Sequence, residues 1–418
     1  MPSKTLLRSA EIAHLVRHAG DAGIIAPPPG VDMARVIGRK RRIIQSFADY
    51  RAEQIESFPL VRGAARFTDP GTIEVDGRDV AAQRFVIATG SIINVPAIPG
   101  LEAAGFVTSD DVLEMDALPA SVVVLGGGPT ACELAQYLSR LGSDTTIVQR
   151  SATLLSGEDA DVASALRAAL ERDGIRVITG TSLERVERSG RKKIVHYGVG
   201  DASRSAIADE IFVALGRRAD IDDLGLEAAG VEHGRAGINV DEYLQTSNPR
   251  AYAAGDVLHD SWQLVHVAVH EGMLAARNAF AQERTAVDYG LQAARAVFTE
   301  PQVAIAGLTE RDCAERGIEY VASSYPFDDL GKAIATDRTQ GFVKMLAGRD
   351  GTILGVAIVG AEASDLIHEA IALLYFKGGV RDVMEMPHLH PTLAEIMTYP
   401  AEALLERLDH ERRALVTP

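Results

Sequence analysis

The segment SVVVLGGGPTACELAQYLSRLGSDTTIV, residues 121–148, decides the fold of this 418-residue chain. It predicts a short apolar strand at 121–125, a glycine turn, a helix with apolar residues at helical spacing, and a second strand at 145–148. Gly142 follows the last apolar residue of the helix, where glycine commonly ends a helix. A strand, a helix and a strand in this order favour a parallel, doubly wound sheet.

The glycine turn carries the pattern G-x-G-x-x-A at Gly126, Gly128 and Ala131. In a dinucleotide site the first glycine permits the tight turn and the second lets a pyrophosphate approach the backbone, while a small third residue lets helix and strand pack closely. The phosphates then bind the free amides of the helix N-terminus. Because the pattern follows a strand and opens an amphipathic helix, it predicts a nucleotide site rather than a chance glycine turn.

The end of the second strand indicates which nucleotide binds. An NAD site usually has an acid about 20 residues after the glycines, where it binds the ribose 2′-hydroxyl. This chain has Gln149 and Arg150 there instead. Arg150 can pair with a 2′-phosphate, so NADP is predicted and NAD is less favoured. The competing interpretation makes Arg150 a solvated residue at the end of a strand.

Two further segments, at 84–90 and 211–217, share one pattern, an apolar strand that runs into a turn of small residues. Each follows a polar stretch typical of a hairpin, at Asp76-Gly77 and at 198–201. The weak repeat predicts two related nucleotide-binding domains, one partly nested in the other.

A different kind of domain is predicted after residue 293. Asp350-Gly351 is predicted to form a hairpin turn between two of its strands, and a long helix is predicted after them at 364–376. The strands are predicted at 296–298, 342–346 and 353–359. This pattern is typical of an antiparallel α+β domain.

Composition excludes several classes of function. A net charge of −16 argues against nucleic acid or an anionic membrane as the main partner, and no apolar run reaches the ~20 residues of a spanning helix. Cys132 and Cys313 are too few for a disulfide scaffold and lack metal-ligand spacing, so we predict inert, buried thiols, no metal site and a cytoplasmic location.

The N-terminal residues admit two interpretations. A rough apolar stripe of Leu6, Ile12, Leu15 and Val16 predicts an amphipathic helix. The alternative is a transit peptide, because this stretch is basic and has a single acid in its first twenty residues.

A second chemical motif is the apolar strand at 252–254 that runs into Gly255-Asp256. This order puts a carboxylate at the carboxyl end of a sheet, where it can accept a hydrogen bond from a polyhydroxyl chain. A lone Gly-Asp is usually only a turn. The combination with Thr89-Gly90 and with Gly216 at the ends of the repeated segments is distinctive.

Over essentially its whole length the chain resembles the pyridine nucleotide-disulfide oxidoreductases, the group of dihydrolipoyl dehydrogenase, glutathione reductase and mercuric reductase. The resemblance implies FAD as a second cofactor, with Asp256 on its ribityl chain. Thr89-Gly90 and Gly255 match flavin-domain motifs, and His266 lies in a stretch that lines the flavin in the family.

The resemblance also implies the catalytic residues. Lys4, in Pro-Ser-Lys, matches the lysine held near the flavin, and Glu133 matches the glutamate that pairs with it. His390-Pro-Thr-Leu-Ala-Glu395 looks like the catalytic motif, in which the glutamate orients the histidine and the histidine reaches the thiols of the partner subunit. A histidine suits this role because its ordinary pKa lies near neutrality.

The implied fold is α/β, with two Rossmann-like nucleotide-binding domains, the first incomplete at its N-terminus, and a C-terminal α+β dimerisation domain. We predict an FAD-binding domain at 1–118 and 249–290, an NAD(P)-binding domain at 119–248, and a dimerisation domain at 291–418. The active form is predicted to be a homodimer.

The family pattern places a further glycine fingerprint and a cysteine pair before Pro-Ser-Lys, and these 418 residues contain neither. We therefore expect a start codon set too late or a truncated gene copy. The predicted function is an FAD-dependent NAD(P)H oxidoreductase that passes hydride through flavin to an acceptor. The alternative is a truncated, flavin-free, non-catalytic remnant that binds NADPH and dimerises.

The electron acceptor stays open at this point. The Gln149-Arg150 strand end and the region 332–337 look more like the mercuric-reductase-like branch than like lipoamide enzymes. The His-Pro-Thr motif is commonly lacking in mercuric reductases. A disulfide, a metal ion such as Hg(II) and a quinone therefore all remain as acceptors.

Overall fold

The structure is a computed structural model that describes residues 1–416, except for the side chains at 291, 292, 412 and 414–416. It forms two compact units. The first unit comprises Met1–Gln45, Val95–Leu215 and Ala294–Pro418, and the second comprises Ser46–Asn94 and Gly216–Ala293. Within the described residues, no helix has both the length and the apolar character needed to cross a membrane.

The helices are distributed along the whole chain. They are α1 (Pro2–Arg17), α2 (Met33–Glu56), α3 (Leu101–Ala104), α4 (Ser109–Glu114), α5 (Pro129–Leu141), α6 (Ala160–Arg172), α7 (Leu226–Ala229), α8 (Val265–Asn278), α9 (Tyr289–Gln292), α10 (Glu310–Arg316), α11 (Gly331–Ala335), α12 (Ala363–Tyr375), α13 (Val380–Glu385) and α14 (Thr398–Val416).

The strands are mostly short. They are β1 (Ala65–Asp69), β2 (Thr72–Val75), β3 (Arg78–Ala81), β4 (Phe85–Ile87), β5 (Ser91–Ile93), β6 (Ser121–Leu125), β7 (Asp144–Val148), β8 (Arg176–Ile178), β9 (Thr181–Ser189), β10 (Lys192–Val199), β11 (Ala202–Ala208), β12 (Glu210–Val213), β13 (Arg217–Ala219), β14 (His233–Gly234), β15 (Gly237–Ile238), β16 (Ala251–Ala253), β17 (Arg295–Val297), β18 (Gln302–Gly307), β19 (Val321–Pro326), β20 (Phe342–Ala347) and β21 (Ile353–Gly360).

The first unit contains the predicted parallel sheet. Its strand order is β12-β6-β7-β8, and all three pairings are parallel. Strand β6 is buried from Val122 to Leu125, as expected for a central strand of a parallel sheet. Helix α5 ends before Gly142, which adopts φ +120°. The strand–helix–strand prediction for residues 121–148 is therefore confirmed.

The same unit contains the C-terminal α+β domain. Its antiparallel sheet has the order β17-β18-β21-β20-β19, and α12 packs on β18 and β21. The predicted strands at 342–346 and 353–359 and the long helix are confirmed. Sequence analysis missed β18, which directly follows Pro301, and β19, in which only Val321 is buried.

Helix α1 is present, but of its predicted apolar stripe only Leu6 is fully buried. Leu6, Ala10 and Ala13 are buried, whereas Ile12 and Leu15 are exposed. Leu6, Ala10 and Ala13 follow the i, i+4, i+7 spacing of one helical face. Helix α1 packs on α5, and the small side chains of Ala10 and Ala13 on its buried face let two helices approach closely.

The second unit contains several small sheets, one of which packs on α8. Strand β16 pairs in parallel with β4, and α8 packs on both strands. The hairpin turn predicted at Asp76-Gly77 is confirmed, with φ of 48° and 81°, the left-handed pair that a two-residue hairpin requires. Both repeated segments are strands with a parallel partner, β4 beside β16 and, in the first unit, β12 beside β6. The four predicted domain ranges stay a prediction.

Both cysteines are free and buried, which confirms the predicted burial. Burial raises the pKa of Cys132 to about 12, and the charge of Glu133 adds to the effect. Burial is also the main cause of the raised pKa of Cys313. Both thiols therefore stay protonated at neutral pH, whereas the reactive form of cysteine is the thiolate.

Candidate nucleotide-binding and redox residues

The glycine turn of the first unit is tight at Gly126 and open at Gly128, where α5 begins. Gly126 adopts φ +117°, and a Cβ atom there would lie 2.3 Å from the carbonyl oxygen of Ala214. Gly128 caps α5, and within the described residues no atom other than those of Gly128 and its two chain neighbours lies within 4 Å of the position that its Cβ would take. Ala131 is buried in the first turn of α5. The turn is therefore open where a phosphate would approach the amides of the helix N-terminus.

Gln149 and Arg150 lie at the carboxyl end of β7, as predicted. The side chain of Gln149 lies against the turn, 3.0 Å from the position that a Cβ of Gly127 would take. Arg150 is exposed. This is the end of a parallel sheet at which ligands bind in doubly wound folds.

Lys4 and Glu133 form an ion pair. The Nζ atom of Lys4 donates to Oε2 of Glu133 at 2.6 Å and lies 4.1 Å from the centre of the Phe298 ring. The second oxygen of Glu133 accepts from the backbone amide of Phe298 at 2.9 Å. Because Glu133 is buried and both of its oxygens are bonded, the position of the lysine charge is fixed.

A cleft of about 200 Å³ opens beside Lys4. It is lined by residues of α1 and α5, including Tyr137, and by residues 298–300 and 302. The hydroxyl of Tyr137 is buried and has no hydrogen-bond partner within the described part of the chain. Burial raises the pKa of Glu300, against the opposing effect of Arg338. Sequence analysis did not select Tyr137 or Glu300 as site residues.

His390 and Glu395 form a second pair. The Nδ1 atom of His390 lies 3.0 Å from Oε2 of Glu395. A hydrogen bond from Nδ1–H to the carboxylate leaves Nε2 as the basic nitrogen. The histidine side chain is 79% exposed and the glutamate side chain only 13%. The imidazole is therefore oriented by Glu395 and accessible to solvent. His388 is nearly buried, with Nε2 3.0 Å from Glu369.

Asp256 lies in the second unit, just after β16, at the end of a hydrogen-bonded chain. Its Oδ2 atom accepts from the hydroxyl of Ser91 at 2.8 Å, and that hydroxyl accepts from Nε of Arg217 at 2.7 Å. Sequence analysis did not select Ser91 or Arg217 as site residues. Their positions in the sequence could have indicated them, because Ser91 directly follows Gly90 and Arg217 directly follows Gly216.

The other predicted residues of the second unit lie in turns or at a helix start. Gly90, Gly216 and Gly255 all have positive φ, a conformation that glycine adopts most readily. The hydroxyl of Thr89 donates to the carbonyl of Asp220 at 2.7 Å. His266 is exposed in the first turn of α8.

One carboxylate cluster has the composition of a metal site but already contains a cation. Asp159, Asp161 and Glu310 converge within the first unit. The Nζ atom of Lys344 lies 2.8 Å from an oxygen of each. The lysine ammonium therefore takes the place that a metal ion would need.

Comparison with known proteins identifies two family matches. Residues 1–272 match the model of the pyridine nucleotide-disulphide oxidoreductases, and residues 293–401 match the dimerisation domain of the same family. The chain is 36% identical to the mercuric reductase of Bacillus cereus over 401 residues, which cover 94% of this chain and 63% of that protein. It is 33% identical to the dihydrolipoyl dehydrogenase of Thermus scotoductus over 423 residues, covering 98% and 89%.

Solved structures resemble the fold at lower identity. The HOCl-induced flavoprotein disulfide reductase RclA from Escherichia coli matches with a TM-score of 0.84 at 22% identity, covering 96% of this chain and 89% of that one. LpdA from Mycobacterium tuberculosis matches with a TM-score of 0.85 at 24% identity, with the same coverage. At these identities the likeness concerns the fold.

Proposed function

The chain belongs to the pyridine nucleotide-disulphide oxidoreductase family, and we propose that it is an FAD-dependent oxidoreductase that takes hydride from NADPH. The observation that carries this proposal is the ion pair of Lys4 and Glu133. A buried carboxylate that holds an ammonium at 2.6 Å provides a fixed positive charge. Such a charge stabilises negative charge that develops during a reaction.

NADPH is proposed to bind at the glycine turn of the first unit. Gly126, Gly128 and Ala131 would admit the pyrophosphate to the N-terminus of α5, with Gln149 beside the turn and Arg150 at the 2′-phosphate. The open space at Gly128 fits this group. The choice of NADPH over NADH rests on Arg150 and on the absence of an acid from that strand end in the sequence.

Arg150→Ala is expected to weaken NADPH binding about 10- to 100-fold, the effect of one lost charge-assisted hydrogen bond, and to leave NADH binding unchanged. Fluorescence titration with each nucleotide measures both dissociation constants. Arg188→Ala, which removes another exposed arginine of the same unit, is the matched control and is expected to change neither. Equal losses for both nucleotides would contradict the assignment of the 2′-phosphate site.

FAD is proposed to bind through Asp256, Gly255, Thr89, Gly90 and His266. Gly216 belongs to the same combination of predicted cofactor-binding motifs. Asp256 is only partly buried, and Ser91 fixes the orientation of its carboxylate, as a ligand of the ribityl hydroxyls requires. When bound, FAD would supply the two-electron carrier. In the family that this chain resembles, the residue that Lys4 matches is the lysine held near the flavin.

His390 is proposed as the group that moves a proton to or from the acceptor at Nε2, with Glu395 holding the ring and stabilising its charged form. The acceptor is proposed to be a disulfide, a metal ion such as Hg(II), or a quinone. We further propose a homodimer through the C-terminal domain, and a cytoplasmic location because both cysteines are free.

The proposed function is tested by the colour of the purified protein and its response to NADPH. A visible flavin absorption band that bleaches when NADPH is added without oxygen is the expected result. A colourless protein that binds NADPH, and that gains no flavin on incubation with FAD, would overturn the proposal. That outcome would support the alternative of a flavin-free NADPH-binding dimer.

A further inference from the structure

A buried acid of the second unit has no part in the function proposed above. Glu271 lies in the middle of α8 and is fully buried. Glutamate is almost never fully buried without partners. Here Oε2 accepts from the backbone amide of Gly255 at 2.7 Å, and Oε1 accepts from the hydroxyl of Tyr289 at 2.7 Å.

The contact with Gly255 fixes the backbone immediately before Asp256. Gly255 has φ +81°, and a Cβ atom there would lie 3.3 Å from the Cβ of Ala268 on α8, so the loop packs closely on the helix. Glu271 accepts a hydrogen bond from the backbone amide of Gly255, and Ser91 donates a hydrogen bond to the carboxylate of Asp256. The position of Asp256 is thus determined both through its backbone and through its side chain.

Tyr289 orients the glutamate from the other side. Burial is the main cause of its raised pKa, and the hydrogen bond to Glu271 adds to the shift. The phenol therefore stays protonated and donates to Oε1 throughout the neutral range. With one oxygen held by Tyr289, the other is directed to Gly255.

We propose that Glu271 and Tyr289 are positioning residues that set the Gly255–Asp256 backbone so that Asp256 can bind the ribityl chain of FAD. This inference rests on the proposed function for the identity of the ligand. Glu271 lies 16 positions after Gly255 in the chain, and Tyr289 lies 18 positions after Glu271. Neither of them belongs to the motifs found in the sequence.

The first test needs no flavin. Hydrogen exchange of the Gly255 amide is measured in the FAD-free protein for the wild type, Glu271→Gln, Glu271→Ala and Tyr289→Phe. Glu271→Ala is expected to exchange about 10- to 100-fold faster, because the amide loses its hydrogen-bond acceptor. Glu271→Gln is expected to stay close to the wild type, since its amide oxygen can still accept, and Tyr289→Phe to lie between them.

The second test is the dissociation constant for FAD of the folded variants, with NADPH binding as the internal reference. Glu271→Ala is expected to weaken FAD binding about 10-fold and to leave NADPH binding unchanged, and Glu271→Gln is expected to restore FAD binding. Glu283→Gln, which alters an exposed glutamate of the same unit, is the matched control. If Glu271→Ala does not fold, Tyr289→Phe and Glu271→Gln still give both readouts.

Each outcome decides a different point. Unchanged Gly255 exchange in Glu271→Ala and Tyr289→Phe would overturn the positioning role. Faster exchange with unchanged FAD affinity would reduce Glu271 to a structural residue and overturn the link to FAD. A wild-type protein that binds no FAD would overturn the proposed function and the ligand named here, while the exchange data would still decide whether Glu271 holds the backbone.

Discussion

Lys344→Met is expected to lower the free energy of unfolding by about 3–5 kcal/mol, the usual cost of removing one partner of a buried ion pair, here the pair of Lys344 and Asp159. Lys344 lies on β20 and is only 2% exposed, with Nζ 2.8 Å from Asp159, Asp161 and Glu310. Methionine keeps much of the side-chain length but leaves three carboxylates facing one another. Urea unfolding at neutral pH measures the difference from the wild type.

Lys192→Met is the matched control for this prediction. Lys192 also forms an ion pair at 2.8 Å, with Asp209, but its side chain is 50% exposed. Exposed pairs contribute about 0–1 kcal/mol, so this variant is expected to unfold almost like the wild type. Similar losses in the two variants would show that the Lys344 cluster contributes no more than a surface ion pair.

The pH dependence of the Lys344 effect has a definite sign. Burial alone would lower the pKa of Lys344, but its hydrogen bonds to the three carboxylates outweigh burial and raise the pKa above the ordinary 10.5. A pKa raised on folding contributes stability that is complete below the unfolded-state pKa and is lost as pH rises through the folded-state pKa. The difference between wild type and Lys344→Met is therefore expected to be constant near neutral pH and to shrink only above 10.5.

The sequence predicted those parts of the structure that local patterns determine. The strand, turn and helix of residues 121–142 need only neighbours in the chain, and so does the pair of His390 and Glu395, five residues apart. The Lys4–Glu133 contact spans 129 positions, and it was predicted only through the family resemblance. Without that resemblance, no spacing rule would connect the two residues.

The parts that could not be predicted depend on contacts between distant segments. The Lys344 cluster joins residues from 34 to 185 positions apart, and Glu271 contacts a backbone amide that carries no sequence signal. The prediction of the buried face of α1 was partly wrong for a related reason. Of the predicted apolar stripe, Leu6 is buried but Ile12 and Leu15 are exposed. Ala10 and Ala13 complete the buried face of this helix, which packs on α5.

His390→Gln is expected to slow reduction of a small-molecule disulfide about 10²- to 10⁴-fold, the usual contribution of a general acid–base group. Glutamine can still hydrogen-bond to Glu395 but cannot take up a proton near neutral pH. Reduction of the bound flavin by NADPH should be unchanged, because the proposed role of His390 concerns the acceptor alone. Stopped-flow absorbance separates the two half-reactions.

His388→Gln is the control for this prediction because it removes the neighbouring histidine of the same segment. His388 is nearly buried and bonded to Glu369, so we expect its loss to lower stability without a comparable loss of disulfide turnover. A parallel fall of flavin reduction and disulfide turnover in His390→Gln would contradict the assigned role. Equal turnover losses in the two variants would do so as well, because a buried histidine held by Glu369 cannot exchange protons with an acceptor as readily as the exposed ring of His390.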